Sequence, residues 1–376
     1  MKRLIIFDIL RGILLLMMIV DHSPSRLHLF TDQPVGFFTT AEGFVFVSAF
    51  LAGMLFRRRT DESGLGAARS ATIWRAWRTY RAHLLTVTFA FVIGSFFLSQ
   101  FPGVSNLLDQ YLKNPVAALV GSTVLLFRPP LMDILPMYVW FSLLTPLAFL
   151  AARRWGWKAV IYTSLAIWLI SQMRVRDLLV TAFRGNPYVE LGPFDILAWQ
   201  LLWISGLFLG QRFQGGATAT LIPSSLQRVL PALVIGFLGW RWVSIYLGMD
   251  LSKQMWLLDK WHLGPLRLIN FFAMSWLISK LVKRVECWEA WLRPLSLIGQ
   301  RMLPVFCYQI CLSILLIGIV EPLNDREPIA SLLVTVQLLS ACLLGWLLEW
   351  IAQRKNSTTV QPASFAPRRE ILTAER

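Results

Sequence analysis

Long apolar runs recur along the whole chain, and they constrain its fold more than any other feature. Of the 376 residues, 56% are hydrophobic and 15% are charged, which is far outside the range of soluble globular domains. About 20 apolar residues suffice to cross a bilayer as a helix. We predict ten such spans, at approximately residues 4–22, 38–56, 82–100, 131–152, 159–173, 194–212, 229–248, 265–283, 301–320 and 330–351. The sequence thus predicts an all-α integral membrane protein, a single bundle of about ten transmembrane helices.

The positions of the basic residues predict how this bundle is oriented. With the N-terminus in the cytoplasm, the arginine-rich stretch 57–81 and the basic residues within 153–158 and 280–293 fall in loops on the same side. Lys and Arg concentrate in the cytoplasmic loops of multi-pass proteins. We therefore predict that both termini are cytoplasmic and that the protein lies in a bacterial inner membrane. This distribution also accounts for the net charge of +15 without a nucleic acid partner.

Composition gives three smaller expectations. The transmembrane domain is predicted to occupy residues 1–352, followed by a polar, disordered cytoplasmic tail at 353–376. The apolar stretch 116–127 is too short to cross and is expected to be a half-helix or an interfacial segment. Four cysteines lack metal-ligand spacing, so we expect small packing residues and no metal site. They are Cys287, Cys307, Cys311 and Cys342.

Three ionisable residues, Asp8, Arg11 and His22, lie in or at the edge of the first apolar run. Such residues are costly in a bilayer and require a functional explanation. On a helix, the step from Arg11 to His22 turns about 1100°, close to a whole number of turns, and Asp8 lies about 60° from Arg11. The same step rises about 16 Å. All three residues are predicted to share one face, with Arg11 nearer the cytoplasm and His22 nearer the outer surface.

His22 has two interpretations. A histidine can take a proton from a sugar hydroxyl and return it, as acyl transfer to an alcohol requires; the alternative is an interfacial histidine held by headgroups. Glu42, at the outer end of the second span, would fix the tautomer of His22 if they meet, or would be a headgroup-level acid. Ala49 and Gly53 share its face, so close contact with the first span is the expected use of these small residues.

Basic residues on the cytoplasmic side indicate an anionic ligand. Asp8 and Arg11 form either a buried ion pair that fastens the first span or an anion site in which Asp8 supports Arg11. The segment WRAWRTYRAHLL, which begins at Trp74, mixes arginines with aromatic rings before the third span. Such a mixture suits a nucleotide diphosphate with a stacked base. Positive-inside topology is the alternative explanation.

Polar residues in three later segments indicate an outward vestibule. The segment ILPMYVWFSLLTP carries two prolines, so its helix is expected to be kinked and to line a cavity. The segment FDILAWQLLW places Asp195 and Gln200 in the outer half of the sixth span. In the eighth span, GPLRLINFF places Arg267 and Asn270 at a similar depth. Packing or headgroup contact is the alternative role for each.

Together these blocks resemble a known family. FDILRG followed by His22, then AEGFVFVSAFLAG, RxxRxYRAHL, ILPMYVWF, AWQLLW and LIGQRMLPVF occur in one order that is similar to the OpgC branch of the membrane-bound acyltransferase-3 superfamily. The resemblance runs from about Phe7 to the ninth span. It implies a ten-span inner-membrane enzyme that moves a succinyl group from cytoplasmic succinyl-CoA to osmoregulated periplasmic glucans.

The resemblance also implies site residues. His22 matches the family's essential histidine and Glu42 its acid, as a catalytic pair. Acyl-CoA, as donor substrate, is assigned to Arg11, Arg75, Arg78, Arg81 and His83. Substrate-binding roles are predicted for Asp8, Tyr138, Trp199, Gln200 and Arg267. Two positions depart from the family pattern: Ala49 replaces a usual glycine, and Gln309 stands where many relatives have histidine.

Three alternatives stay open at this point. The acyl group and acceptor are either succinyl and a periplasmic glucan, or acetyl or another acyl group and a different surface polysaccharide. A succinyl carboxylate would need a cation near His22, for which Arg26 or Arg267 are candidates. The non-enzymatic alternative is a proton-coupled exporter with Asp8, Arg11 and His22 as a relay, although the chain lacks the internal repeats typical of transporters. The oligomeric state is left open between a monomer and a homo-oligomer.

Overall fold

The computed structural model describes residues 5–23, 25–215, 222–285, 291–320 and 327–359, and these form a helical bundle. No β-strand occurs within these ranges. The helices used below are α1 (Ile5–Asp21), α2 (Thr40–Phe89), α3 (Pro115–Thr123), α4 (Ile134–Ser171), α5 (Ile196–Gln214), α6 (Ser224–Tyr246), α7 (Pro265–Val285), α8 (Arg293–Gln300), α9 (Met302–Val320) and α10 (Glu327–Thr359). Shorter helical segments, among them Arg26–Phe30, Pro102–Leu107 and Val175–Ala182, connect them.

Glycines interrupt the two longest helices. Gly64 in α2 has φ 82° and ψ 169°, and Gly156 in α4 has φ 81° and ψ 158°, a conformation that favours glycine. Ser48 and Arg75, on opposite sides of Gly64, both lie beside Tyr138. In an unbroken helix they would be about 40 Å apart, so α2 doubles back at Gly64. The stretch 57–81, expected to be a loop, is therefore a helical hairpin.

Ion pairs along this hairpin explain why helix persists through a charged stretch. Arg57 bonds Asp61 and Arg58 bonds Glu62, each at 2.7 Å and four residues apart, a spacing that supports helix. Local pairing thus replaces the apolar burial that stabilises the spans.

Five helical stretches in the described part of the chain are long and apolar enough to cross a membrane. They are Thr40–Leu98, Ile134–Ser171, Ser224–Tyr246, Met302–Ile319 and Pro328–Arg354. The first two each contain two predicted spans, separated by the glycine breaks. The chain is thus an all-helical membrane protein, helix covers the centre of every predicted span, and ten crossings stay a prediction.

Close packing through small residues joins α2 to α5. A Cβ on Gly206 would lie 2.6 Å from the Cβ of Ala49, and one on Gly53 would lie 2.3 Å from the carbonyl oxygen of Leu207. Ala49 and Gly53 therefore face α5, which corrects the expectation that they contact the first span. Small residues at these positions let two helix backbones approach closely.

The helix α1 is held between α2 and the short helix α8. A Cβ on Gly12 would lie 2.1 Å from the carbonyl oxygen of Leu295, and one on Gly299 would lie 1.8 Å from that of Asp8. On the other side, Gly43 of α2 packs against Leu14. Glycines on both partners thus bring α1 into the protein interior, where its polar face meets protein.

Exposed apolar residues form a stripe on α10, at Leu332, Val336, Leu339 and Leu343. Their spacing of three or four residues places them on one face, as expected for a lipid-facing surface. The helix continues to Thr359 and enters the segment predicted to be disordered; residues 360–376 lie outside the described ranges. Three described cysteines, Cys307, Cys311 and Cys342, are free and half-buried, whereas Cys287 lies outside those ranges.

The apolar segment at 116–127 contains the nine-residue helix α3, about 13 Å long at 1.5 Å per residue. This helix is too short to cross a bilayer. The carbonyl oxygen of Ser122 on α3 contacts the imidazole of His83, with 3.3 Å between the oxygen and Nε2. The segment is a half-helix packed against α2.

Candidate active site

A polar cavity lies at the end of α1, with His22 in its wall. Its volume is ≈ 180 Å³. Met18 and Asp21 of α1, Thr39 to Ala41 at the start of α2, and Lys260 before α7 contribute to the lining. The remaining lining residues are His28, Asp32, Leu131, Asp133, Ile134 and Phe194. Carboxylates and hydroxyls predominate among the polar groups, and these accept and donate the hydrogen bonds that a polyol needs.

His22 is half-buried, and one of its ring nitrogens is held by an amide. Nε2 of Gln309, on α9, lies 2.8 Å from Nδ1 of His22. No hydrogen bond to the other ring nitrogen occurs among the described residues, and His22 lines the cavity. The imidazole therefore presents Nε2 to the cavity, where it can exchange a proton with a hydroxyl group.

Glu42 does not contact His22 in this structure. It is fully buried, and its Oε2 accepts hydrogen bonds from the Thr39 backbone N–H at 2.9 Å and from the Thr39 hydroxyl at 2.6 Å. Its Oε1 pairs with the Arg267 guanidinium, which is also fully buried. The predicted Glu42–His22 pair is thus wrong in its geometry, because the carboxylate caps its own helix and neutralises a buried arginine.

Arg267 connects the start of α2 to α7 through this pair. Its Nη1 donates to the Leu258 carbonyl at 3.4 Å. One turn along α7, Asn270 accepts a hydrogen bond from the Phe37 backbone N–H at 2.7 Å. The Arg267 guanidinium is fully buried and its Nη2 has no hydrogen-bond partner among the described residues, so its substrate-binding role stays a prediction. These bonds set the position of the cavity wall formed by Thr39 to Ala41.

A charged network fixes the loop that carries Lys260. Asp259 pairs with Nδ1 of His262 at 2.7 Å and with Arg174 at 3.2 Å, and it accepts the Trp261 backbone N–H at 2.8 Å. Burial acts to raise the pKa of Asp259, but the hydrogen bonds from His262 and Trp261 outweigh it and hold that pKa below its ordinary value. The loop is therefore anchored by an ionised carboxylate next to the cavity.

Arginines from α1 and α2 lie close together beside the N-terminal half of α1. The guanidinium of Arg75, on the second arm of the α2 hairpin, lies within Coulombic range of Arg11, Arg78 and Tyr138. Arg11 contacts Asp8 at 3.6 Å and the Met302 sulfur at 3.1 Å. Arg75 makes no salt bridge in the described ranges. Like charges repel in a low-dielectric interior, so this arrangement favours a bound anion.

Two buried hydroxyls border the same arginines. The hydroxyl oxygens of Tyr138 and Ser48 are both buried, and neither has a hydrogen-bond partner at acceptable geometry among the described residues. Buried polar atoms without partners are uncommon. Together with Arg11 and Arg75, they form a partly satisfied polar site in the bundle interior, and phosphate or carboxylate oxygens would complete it.

The other residues that were predicted to bind the donor have different surroundings from Arg11 and Arg75. Arg78 and Arg81 are exposed, and the Arg81 guanidinium stacks over Trp74 at 5.5 Å. His83 is fully buried, with the Ser122 carbonyl beside its ring. The structure thus brings Arg11, Arg75 and Tyr138 together and places Arg78 near Arg75.

Two predicted substrate residues have packing roles. The Gln200 side chain exchanges hydrogen bonds with Ser164 at 2.6 and 2.7 Å and so joins α5 to α4. The Trp199 ring is fully buried and its Nε1 donates to the Trp261 carbonyl at 3.1 Å. Neither lines the cavity, and both side chains use their polar atoms to join helices and loops, so their substrate-binding role stays a prediction.

Sequence reasoning missed Lys260 and Asp133 and gave no ligand-site role to Gln309. Lys260 and Asp133 stand outside the helices, at loop positions with no periodic pattern to place them. Gln309 departs from the family pattern at a position where many relatives have histidine, and this departure was the one sequence signal that could have indicated a role at the site. Its contact with His22 joins residues 287 positions apart, which spacing rules cannot predict.

Comparison with known proteins was made against families, curated proteins and solved structures. A family model described as "OpgC protein" matches residues 3–353. No curated protein and no solved structure matches the chain. The family match covers nearly the whole chain, including both halves of α1, the α2 hairpin and the Gln309 helix. The chain therefore belongs to the OpgC protein family.

Proposed function

We propose that this protein is a transmembrane O-acyltransferase that moves a succinyl group from cytoplasmic succinyl-CoA to hydroxyls of osmoregulated periplasmic glucans. Membership of the OpgC family supports an acyltransferase. The observation that carries the proposal is the division of α1: a histidine lines a cavity at one end, and Arg11 and Arg75 lie close to each other beside the other half. An acyl-CoA has its phosphates and its thioester at opposite ends of a long arm. The separation between the arginines and His22 along α1 matches this arrangement.

The proposed reaction uses His22 as general base. Nε2 takes the proton of a glucan hydroxyl as its oxygen attacks the thioester carbonyl carbon, and the carbon–sulfur bond then breaks. The proton passes from the imidazolium to the departing CoA thiolate, so the enzyme returns to its starting state. Asp32 and Asp133 in the cavity wall would accept hydrogen bonds from other hydroxyls of the acceptor.

The proposed topology places the His22 cavity at the periplasmic side of the inner membrane and the arginines toward the cytoplasm. Residues 1–352 then form the transmembrane domain. The arginine-rich hairpin at Gly64 faces the cytoplasm, in keeping with the preference of Lys and Arg for that side. Both substrates reach α1 without either one crossing the membrane as a whole.

The direct experiment incubates purified protein with radiolabelled succinyl-CoA and periplasmic glucan. The proposal predicts labelled glucan and free CoA in equal amounts. An exporter would leave the glucan unlabelled, and substitution of acetyl-CoA for succinyl-CoA tests the choice of acyl group.

Arg75→Gln is expected to raise the KM for succinyl-CoA about ten- to a hundredfold while kcat changes little. The variant removes a charge from the proposed phosphate site, and a hydrogen bond to a charged group contributes about 1.5–3 kcal/mol. Steady-state kinetics at saturating glucan would measure both constants. Arg58→Gln, at an exposed arginine paired with Glu62 on the same hairpin, is the matched control.

A truncated donor separates phosphate binding from a general effect on folding. Succinyl-pantetheine lacks the nucleotide phosphates, so wild type and Arg75→Gln should use it with equal kcat/KM. If Arg75→Gln impaired the truncated donor as strongly as the intact one, Arg75 would not act through the phosphates.

A further inference from the structure

Within the described ranges, the amide of Gln309 is the one side chain that hydrogen-bonds the His22 ring, and the amide's own hydrogen bonding is incomplete. Gln309 is fully buried, with Nε2 2.8 Å from Nδ1 of His22. Its Oε1 is buried and has no hydrogen-bond partner in the described ranges. The oxygen and nitrogen of a side-chain amide are assigned from the hydrogen bonds they make, so the same packing admits a second arrangement of these two side chains.

A half-turn of the amide about χ3 supplies that arrangement. The amide oxygen and nitrogen have nearly the same size, so the rotation exchanges them within the same packing. Oε1 would then accept a hydrogen bond from Nδ1–H. In neutral imidazole one nitrogen is the donor and the other the acceptor, so Nε2 would carry the free lone pair toward the cavity. The catalytic base needs this tautomer.

Hydrogen bonds hold Gln309 and the end of α1 in register. Gln337, on α10, donates from Nε2 to the backbone carbonyl of Gln309 at 3.4 Å and to the Ser313 hydroxyl at 3.1 Å. The hydroxyl of Ser23, next to His22, donates to Oε1 of Gln337 at 3.0 Å. The network thus joins α1, α9 and α10 and fixes the backbone positions from which the His22 and Gln309 side chains extend.

We infer that Gln309 is a positioning residue that selects the Nδ1–H tautomer of His22. This inference rests on the acyl transfer proposed above. Gln309 takes the role that sequence reasoning had given to Glu42, with a neutral amide in place of a carboxylate. The difference matters because an amide orients the ring without placing a second charge in the buried wall, where an unpaired carboxylate would be costly.

Gln309→Leu and Gln309→Glu test the inference by opposite effects. Gln309→Leu removes the acceptor, so kcat should fall at least about tenfold, with little change in KM for either substrate. Gln309→Glu keeps an acceptor and adds a charge that stabilises imidazolium. It should retain kcat within about tenfold of wild type at alkaline pH and move the acidic limb of the kcat/KM profile to higher pH.

The matched control is Thr335→Ala, which removes an exposed hydroxyl of α10 that bonds the Ser331 carbonyl and lies outside this network. Its pH profile should equal that of wild type. If Gln309 had a purely structural role, Gln309→Leu and Gln309→Glu would both lose activity, and the acidic limb of the kcat/KM profile would stay in place. That result would overturn the inference, and so would a wild-type kcat in Gln309→Leu. If His22→Ala were inactive while Gln309→Leu were fully active, this inference alone would fail; if His22→Ala were active, the proposed mechanism would fail as well.

Discussion

His22→Ala should lose about 10²- to 10⁴-fold in kcat for succinyl transfer, because general-base catalysis contributes on this scale. KM for succinyl-CoA should change little, since the proposed phosphate site lies about 16 Å away along α1 at 1.5 Å per residue. The measurement is the initial rate of label transfer to glucan by purified protein. Thermal unfolding in detergent would confirm that the variant is folded.

His28→Ala is the comparison for this prediction. His28 borders the same cavity, but it is exposed and its Nδ1 lies 2.6 Å from the Ser25 carbonyl oxygen. It should lose far less activity than His22→Ala. Equal losses in the two variants would mean that the cavity needs histidines for its shape and that His22 has no distinct role as base.

The second large effect concerns stability. Arg267→Met leaves the Glu42 carboxylate buried without its ionic partner, and breaking a buried ion pair in this way costs about 3–5 kcal/mol. Unfolding in detergent should report a loss of this size. Glu62→Gln, which removes one member of the exposed Arg58 pair, should cost less than about 1 kcal/mol.

The double variant E42Q/R267M separates structural and catalytic roles of Glu42. Both charges are gone, so stability should recover toward that of wild type. Acyl transfer should recover with it, because the structure assigns Glu42 to Arg267 and Thr39. A double variant that folds but stays inactive would restore Glu42 as a direct partner of His22.

Helices and their apolar faces could be predicted from the sequence because each depends on local composition. Helix covers the centre of every predicted span, with Arg11 within α1 and His22 directly after its last residue. Composition gave less information about connections. The charged stretch 57–81 was expected to be a loop, but i,i+4 ion pairs and a single glycine break make it a helical hairpin that brings Arg75 back to Arg11.

Side-chain partners could not be predicted for a different reason. A polar residue in an apolar span must find a partner, and spacing along the chain does not say which one. Glu42 lies near the cavity as expected but binds Arg267, whereas Gln200 and Trp199 use their polar atoms to join helices. The His22–Gln309 contact depends on how α1 and α9 pack, which is a property of the whole bundle.

The proposed function requires one protein to join a donor on one side of the membrane to an acceptor on the other. Sealed proteoliposomes with glucan trapped in the lumen and radiolabelled succinyl-CoA outside test it most directly. We predict labelled glucan inside the vesicles and free CoA outside, both abolished by His22→Ala. Labelled glucan formed solely when donor and acceptor share one side would contradict the proposed function.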